Sequence, residues 1–168
     1  KQDVNGRKRP SYKATVVLGE KPTSKVVSPS NANGSGLVQN EIYPSILFHG
    51  PKFQGIKSVK ISGDRLEAQC TIPSGTPAQP LALDLIFQSA LILAKKNRGI
   101  ASLPSNAEQI KFYKTITSDT EDFVITMSKE GGSNSDVVWK LEYSMQDVKG
   151  TVYNEGRVSI VLNDTLKY

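Results

Sequence analysis

Asp84 and Gln88 stand four residues apart within Leu81–Arg98 (LALDLIFQSALILAKKNR), a run that is apolar until its basic end. Residues at that spacing share one face of a helix, so the two side chains project together. A buried carboxylate is costly unless it is paired. Gln88 has an amide N–H with which to pair it. In a helix that begins at Leu81, Asp84 falls in the first turn, where the dipole favours negative charge. Two readings stay open: a helix-end acid facing solvent, or an acid held for proton transfer. His49 is the only histidine and sits in Leu47–Ile56 (LFHGPKFQGI), just before a Gly-Pro turn. It suits either a structural role or acid–base chemistry. Cys70 is the only cysteine, so no internal disulfide forms. One Cys and one His do not furnish a four-ligand zinc site, and no metal is expected. No glycine-rich phosphate loop precedes a helix, which leaves nucleotide binding without support.

Positioning these residues takes a helix and strands around it. Pro80 suits a helix start, because its missing N–H is not needed there. Gly99 suits a helix end. The segment Leu81–Arg98 is apolar on nearly every side, so other structure should enclose it. Strands are expected at Tyr12–Leu18, Phe53–Ser62, Arg65–Ile72, Glu108–Tyr113, Phe123–Ser128, Val137–Gln146 and Gly156–Leu162. In the third of these, Leu66, Ala68, Cys70 and Ile72 alternate with polar neighbours, the period-two pattern of a half-buried strand. Val137, Trp139, Leu141, Tyr143 and Met145 repeat that pattern later. Gly63-Asp64, Gly131–Asn134 and Lys149-Gly150 supply turns. Strands, one buried helix, then antiparallel strands make an α+β arrangement. A curved antiparallel sheet wrapped around one long central helix is the hot-dog fold.

A chain of 168 residues with 38% hydrophobic content can bury one real core. The net charge of +5 draws on Lys1, Arg7, Lys8 and Arg9, and on Lys95, Lys96 and Arg98. These read as a solvated tail and a solvated helix end, the latter suiting the helix dipole. Nucleic-acid binding is not expected, since no aromatic-interleaved basic motif accompanies the charge. No apolar run reaches the about 18 residues that span a bilayer, so no membrane partner is expected. No signal-peptide layout is present, and the lone cysteine suits a reducing, cytoplasmic setting. Residues 19–40, dense in Pro, Ser, Asn and Gly, read as a flexible linker, and the main body as residues 41–168.

The element LFHGPKFQGI resembles the YGPxFQG element of polyketide synthase dehydratase domains, in the HGPxFQ version of iterative and polyunsaturated fatty acid synthases. Leu83–Gln88 (LDLIFQ) resembles that family's DxxxQ/H element. Gly150–Tyr153 and the strand to Leu162 are similar to its closing strands, and Tyr12–Leu18 to the strand that ends its first hot-dog. Residues 1–18 would then be the remnant or edge of a preceding hot-dog. The resemblance implies the C-terminal hot-dog half of a dehydratase of fatty acid or polyketide biosynthesis. Such a lyase removes water from a 3-hydroxyacyl thioester and yields the enoyl thioester. The substrate rides on the phosphopantetheine arm of an acyl carrier protein; no cofactor is bound directly. By position, Asp84 would protonate the leaving hydroxyl and Gln88 would hold Asp84. His49, Gly50, Pro51 and Phe53 would line the substrate pocket. Partners implied are the carrier protein, other synthase domains, and a second hot-dog or a homodimer. The family's HxxxGxxxxP element, which supplies the base, is absent. The alternative is therefore a catalytically inactive pseudo-dehydratase that binds acyl chains or organises the synthase. A hot-dog thioesterase is disfavoured by the HGPxFQ element.

Overall fold

Leu66, Ala68 and Cys70 are buried and their neighbours are less so, which is how a strand lies against a core. The same logic repeats along the chain. The computed structural model describes residues 14–20, 22, 23, 25–27, 35–117, 122–131 and 137–165. Its strands are β1 (Ser35–Val38), β2 (Ile56–Ser62), β3 (Arg65–Cys70), β4 (Ala101–Phe112), β5 (Phe123–Lys129), β6 (Val138–Asp147) and β7 (Val152–Asn163). A short helix α1 (Gln39–Ile42) follows β1, and the long helix α2 (Ala78–Arg98) lies between β3 and β4. All strand pairs are antiparallel, in the order β1-β2-β3-β5-β6-β7-β4. Helix α2 touches β3 and β5 from the middle of the sheet, and β7 and β4 at its far side. A flat sheet cannot reach one helix with all four, so the sheet curves around it. This is the expected hot-dog arrangement.

Leu85, Ile86, Ile92 and Leu93 of α2 are fully enclosed and share a core with Phe123, Ile125, Trp139 and Leu141. Each such side chain contributes about 1.5–3 kcal/mol on burial. The helix ends at Gly99, whose φ of 71° is left-handed and whose N–H donates to the Lys95 carbonyl at 2.8 Å. Asn97 donates from Nδ2 to the Gly63 carbonyl at 3.0 Å, tying the helix end to the β2–β3 turn. Cys70 is buried, and its thiol is pushed well above its ordinary value by that burial. Among the described residues no helix is long and apolar enough to cross a membrane.

Several expectations need correction. Helix α2 begins at Ala78, so Pro80 is its third residue, where a free N–H is still not required. Asp84 consequently lies in the second turn, and the first turn holds no acidic residue. The dipole does little there. The stretch 19–40 is not linker throughout: Ser35–Val38 pairs with β2, and Val26 bridges to Thr151. Edge pairing runs on backbone hydrogen bonds and needs no apolar side chains. Ala14–Leu18 forms no strand, and Val16, Val17 and Leu18 are exposed. Tyr12 and the basic residues Lys1, Arg7, Lys8 and Arg9 lie outside the described residues. Pro51–Phe53 is a single 3-10 turn, and β2 starts only at Ile56. Strand β4 starts at Ala101, seven residues before the expected Glu108, because a sheet edge tolerates Pro104.

Candidate functional site

On α2 the i, i+4 spacing brings Asp84 and Gln88 together as expected. Gln88 is wholly buried, whereas the Asp84 side chain is 38% exposed. The helix body beneath the acid is apolar and closed, but the acid itself is not enclosed by this chain. Gln88 Nε2 donates to Asp84 Oδ2 at 2.8 Å and to the Phe53 carbonyl at 2.9 Å. Gln88 Oε1 accepts from the Tyr43 hydroxyl at 2.6 Å. The Tyr43 oxygen accepts from the Ile56 N–H at 3.4 Å. Every donor and acceptor of the buried amide is thus engaged.

The His49 loop reaches the same acid from the other side. Its Nε2 lies 3.7 Å from Asp84 Oδ2, and its side chain is 15% exposed. That separation exceeds a hydrogen bond, though such contacts often tighten only with substrate present. The ring stacks on Phe48 with centroids 4.9 Å apart. Gln54 Nε2 donates to the His49 carbonyl at 2.9 Å, and the Phe53 N–H to the Gly50 carbonyl at 2.8 Å. Pro51 opens the turn between them, its fixed φ suited to that place. Burial lowers the imidazole below its ordinary value, and the Asp84 carboxylate offsets this only in part. Among the described residues, His49 Nδ1 is buried without a hydrogen-bond partner. Either neutral tautomer leaves Nδ1 unsatisfied by the described residues, so the ring is characterised by Nε2, which faces Asp84.

The other pocket residues behave differently. Phe53 contributes its carbonyl, while its ring is exposed. Gly50 has open space where a Cβ would point. Gly55 does not: a Cβ there would meet the Thr71 carbonyl oxygen at 2.7 Å and Leu85 Cδ1 at 2.8 Å. Sequence reasoning missed Tyr43, Gln54 and Gly55 as site residues. Two of them stood inside the quoted motif. Tyr43 gave a weaker signal, that a buried tyrosine needs a hydrogen-bond partner. A separate cleft of about 280 Å³, lined by Gln109, Lys111, Glu142, Tyr143, Glu155 and others, holds none of these groups.

Comparison with known proteins bears on this arrangement. The family profile for the polyketide synthase dehydratase N-terminal domain matches residues 21–138. No curated protein matches by sequence. A trans-AT polyketide synthase dehydratase domain from Brevibacillus brevis is similar in structure, with a TM-score of 0.63 and 20% identity. The match covers 77% of this chain and 49% of that one. The dehydratase domain from the CurJ module of curacin polyketide synthase gives 0.66 at 18% identity, covering 83% and 54%. The dehydratase domain of PpsC from Mycobacterium tuberculosis, solved with C12:1-CoA, gives 0.59 at 14% identity, covering 81% and 56%. The chain thus spans about half the length of the solved domains it matches. At these identities the likeness concerns the fold. The matched profile is that of the N-terminal domain, whereas the HGPxFQ and DxxxQ elements resemble the C-terminal half.

Proposed function

The chain belongs to the polyketide synthase dehydratase family, and we propose that it is the acid-bearing half of a site that dehydrates 3-hydroxyacyl thioesters on an acyl carrier protein. The observation that carries this reading is the Asp84–Gln88 pair, an acid fixed by a fully bonded buried amide at the rim of an apolar helix. Hydroxide leaves poorly, so a proton must reach the oxygen as the bond breaks. Asp84 would give its proton to the C3 hydroxyl. The C3–O bond breaks and water departs. A base removes the C2 proton, and that electron pair closes the C2–C3 double bond. Asp84 recovers a proton from solvent and the base releases the C2 proton to it, so both groups return to their starting states.

The base is not in hand. His49 faces Asp84 with Nε2, and the HxxxGxxxxP element is absent from the sequence. A histidine from a second hot-dog, from the same synthase or another protomer, would complete the pair. The open side of Asp84 is where that domain and the acyl-phosphopantetheine arm would close over it. His49, Gly50, Pro51 and Phe53 would form the near wall.

The test supplies an enoyl or 3-hydroxyacyl carrier-protein thioester to the chain combined with a histidine-bearing hot-dog, and follows water addition or loss. Asp84→Asn should lower turnover by at least about a hundredfold, the range expected for loss of a general acid. Its melting temperature should stay within a few degrees, since a half-exposed side chain fills little core. Undiminished turnover in Asp84→Asn rules out the acid role. Acyl binding without any turnover favours the inactive, acyl-binding reading.

A further inference from the structure

We propose that Tyr43 is a positioning residue that determines, through Gln88, which oxygen of Asp84 is free to carry the transferable proton. The inference rests on the dehydratase reading and adds a residue to it. A primary amide offers donors on one side and an acceptor on the other, and its shape alone does not decide which faces the acid. Tyr43 decides it. Its hydroxyl lies 2.6 Å from Gln88 Oε1 and its side chain is buried, so water does not compete. Its oxygen already accepts the Ile56 N–H, which leaves its own proton for Gln88. Burial holds the phenol well above its ordinary value, so it stays a donor.

With Oε1 committed to Tyr43, the amide nitrogen must face the other way. One of its hydrogens goes to the Phe53 carbonyl at 2.9 Å and the other to Asp84 Oδ2 at 2.8 Å. His49 Nε2 lies 3.7 Å from that same Oδ2. The amide hydrogen bond and the imidazole approach thus fall on one oxygen. Asp84 Oδ1 has no such contact among the described residues. A protonated carboxyl accepts on one oxygen and donates from the other. The transferable proton is therefore placed on Oδ1, away from the buried amide. An inverted amide would set Oε1 against the acid and draw the proton inward.

The test uses the full chain and the side-chain amide resonances of Gln88, which need no turnover. In Tyr43→Phe the amide proton facing Asp84 should move upfield, because the bond that polarises the amide is gone. In a chain with 3-fluorotyrosine at position 43, a stronger donor of the same shape, it should move downfield. The fluorinated chain keeps the question answerable even where Tyr43→Phe fails to fold. Coincident resonances in wild type and the altered chains overturn the proposal. In the completed site, Tyr43→Phe should also lower kcat about tenfold with KM within about twofold, the signature of an interaction made in the transition state. An unchanged kcat of the folded fraction overturns it as well. No turnover by the wild-type chain in the completed site defeats the dehydratase reading instead, and the resonances still decide the role of Tyr43.

Discussion

His49 has one nitrogen buried without a partner among the described residues and the other facing a carboxylate, so its two nitrogens are not equivalent. That asymmetry can be read by substitution. A glutamine amide nitrogen can stand where Nε2 stands, and an asparagine nitrogen where Nδ1 stands. If His49 donates to Asp84, His49→Gln should keep turnover of the completed site within about tenfold, and His49→Asn should lose about a hundredfold. Equal loss in both would mean that the ring moves a proton itself. The pH dependence follows from the same burial. The folded-state value of His49 lies below the ordinary 6.5, so as pH falls through that range the unfolded chain binds the proton more readily. Stability is lost in that direction, and His49→Gln should flatten this part of the dependence in urea melts. From sequence, Asp84 and Gln88 were legible because helical spacing is rigid. The proton position on His49 was not, because it depends on what surrounds Nδ1.

Gly50 and Gly55 stand five residues apart in one motif, yet the elements around them ask different things. Gly55 leads into β2 close against Leu85 of α2, and its carbonyl accepts from the Thr71 N–H at 2.8 Å. A methyl group there meets Leu85, the neighbour of Asp84. Gly55→Ala should cost about 1–3 kcal/mol, as overpacking of a core does, read as a lower midpoint in denaturant. Gly50 has φ of −70° and nothing of this chain near its missing Cβ, so Gly50→Ala should leave stability unchanged. If the open space there serves the substrate arm, the same variant should raise KM. A stability loss at Gly50, or none at Gly55, would break the distinction. The strands around α2 were visible in sequence wherever burial alternates, as in β3 and β6. The ends of the sheet were not. Strand β1 is held by backbone pairing of Ser35–Val38 to β2, which leaves little mark on side-chain pattern. The early part of β4 hides behind Pro104. The start of α2 was misplaced because proline is tolerated anywhere in a first turn.

At the scale of the whole molecule, an acid without a base makes half a reaction. The chain spans about half of the dehydratase domains it resembles in structure. Its acid is bonded from below by Gln88 and left 38% exposed above. Its one histidine faces that acid with Nε2. The isolated chain is therefore expected to bind an acyl-pantetheine thioester and to hydrate its enoyl form no faster than background. Adding a hot-dog that carries the HxxxGxxxxP histidine should raise turnover by about a hundredfold or more, the usual worth of a general base. The gain should vanish when either Asp84 of this chain or that histidine is replaced. Because the two groups act on one substrate, losing both should cost little more than losing one. Turnover by the isolated chain, indifferent to the added domain, would mean that the base lies within these 168 residues after all. His49 would then be the group to reassign, and its behaviour as asparagine and glutamine would already have shown it.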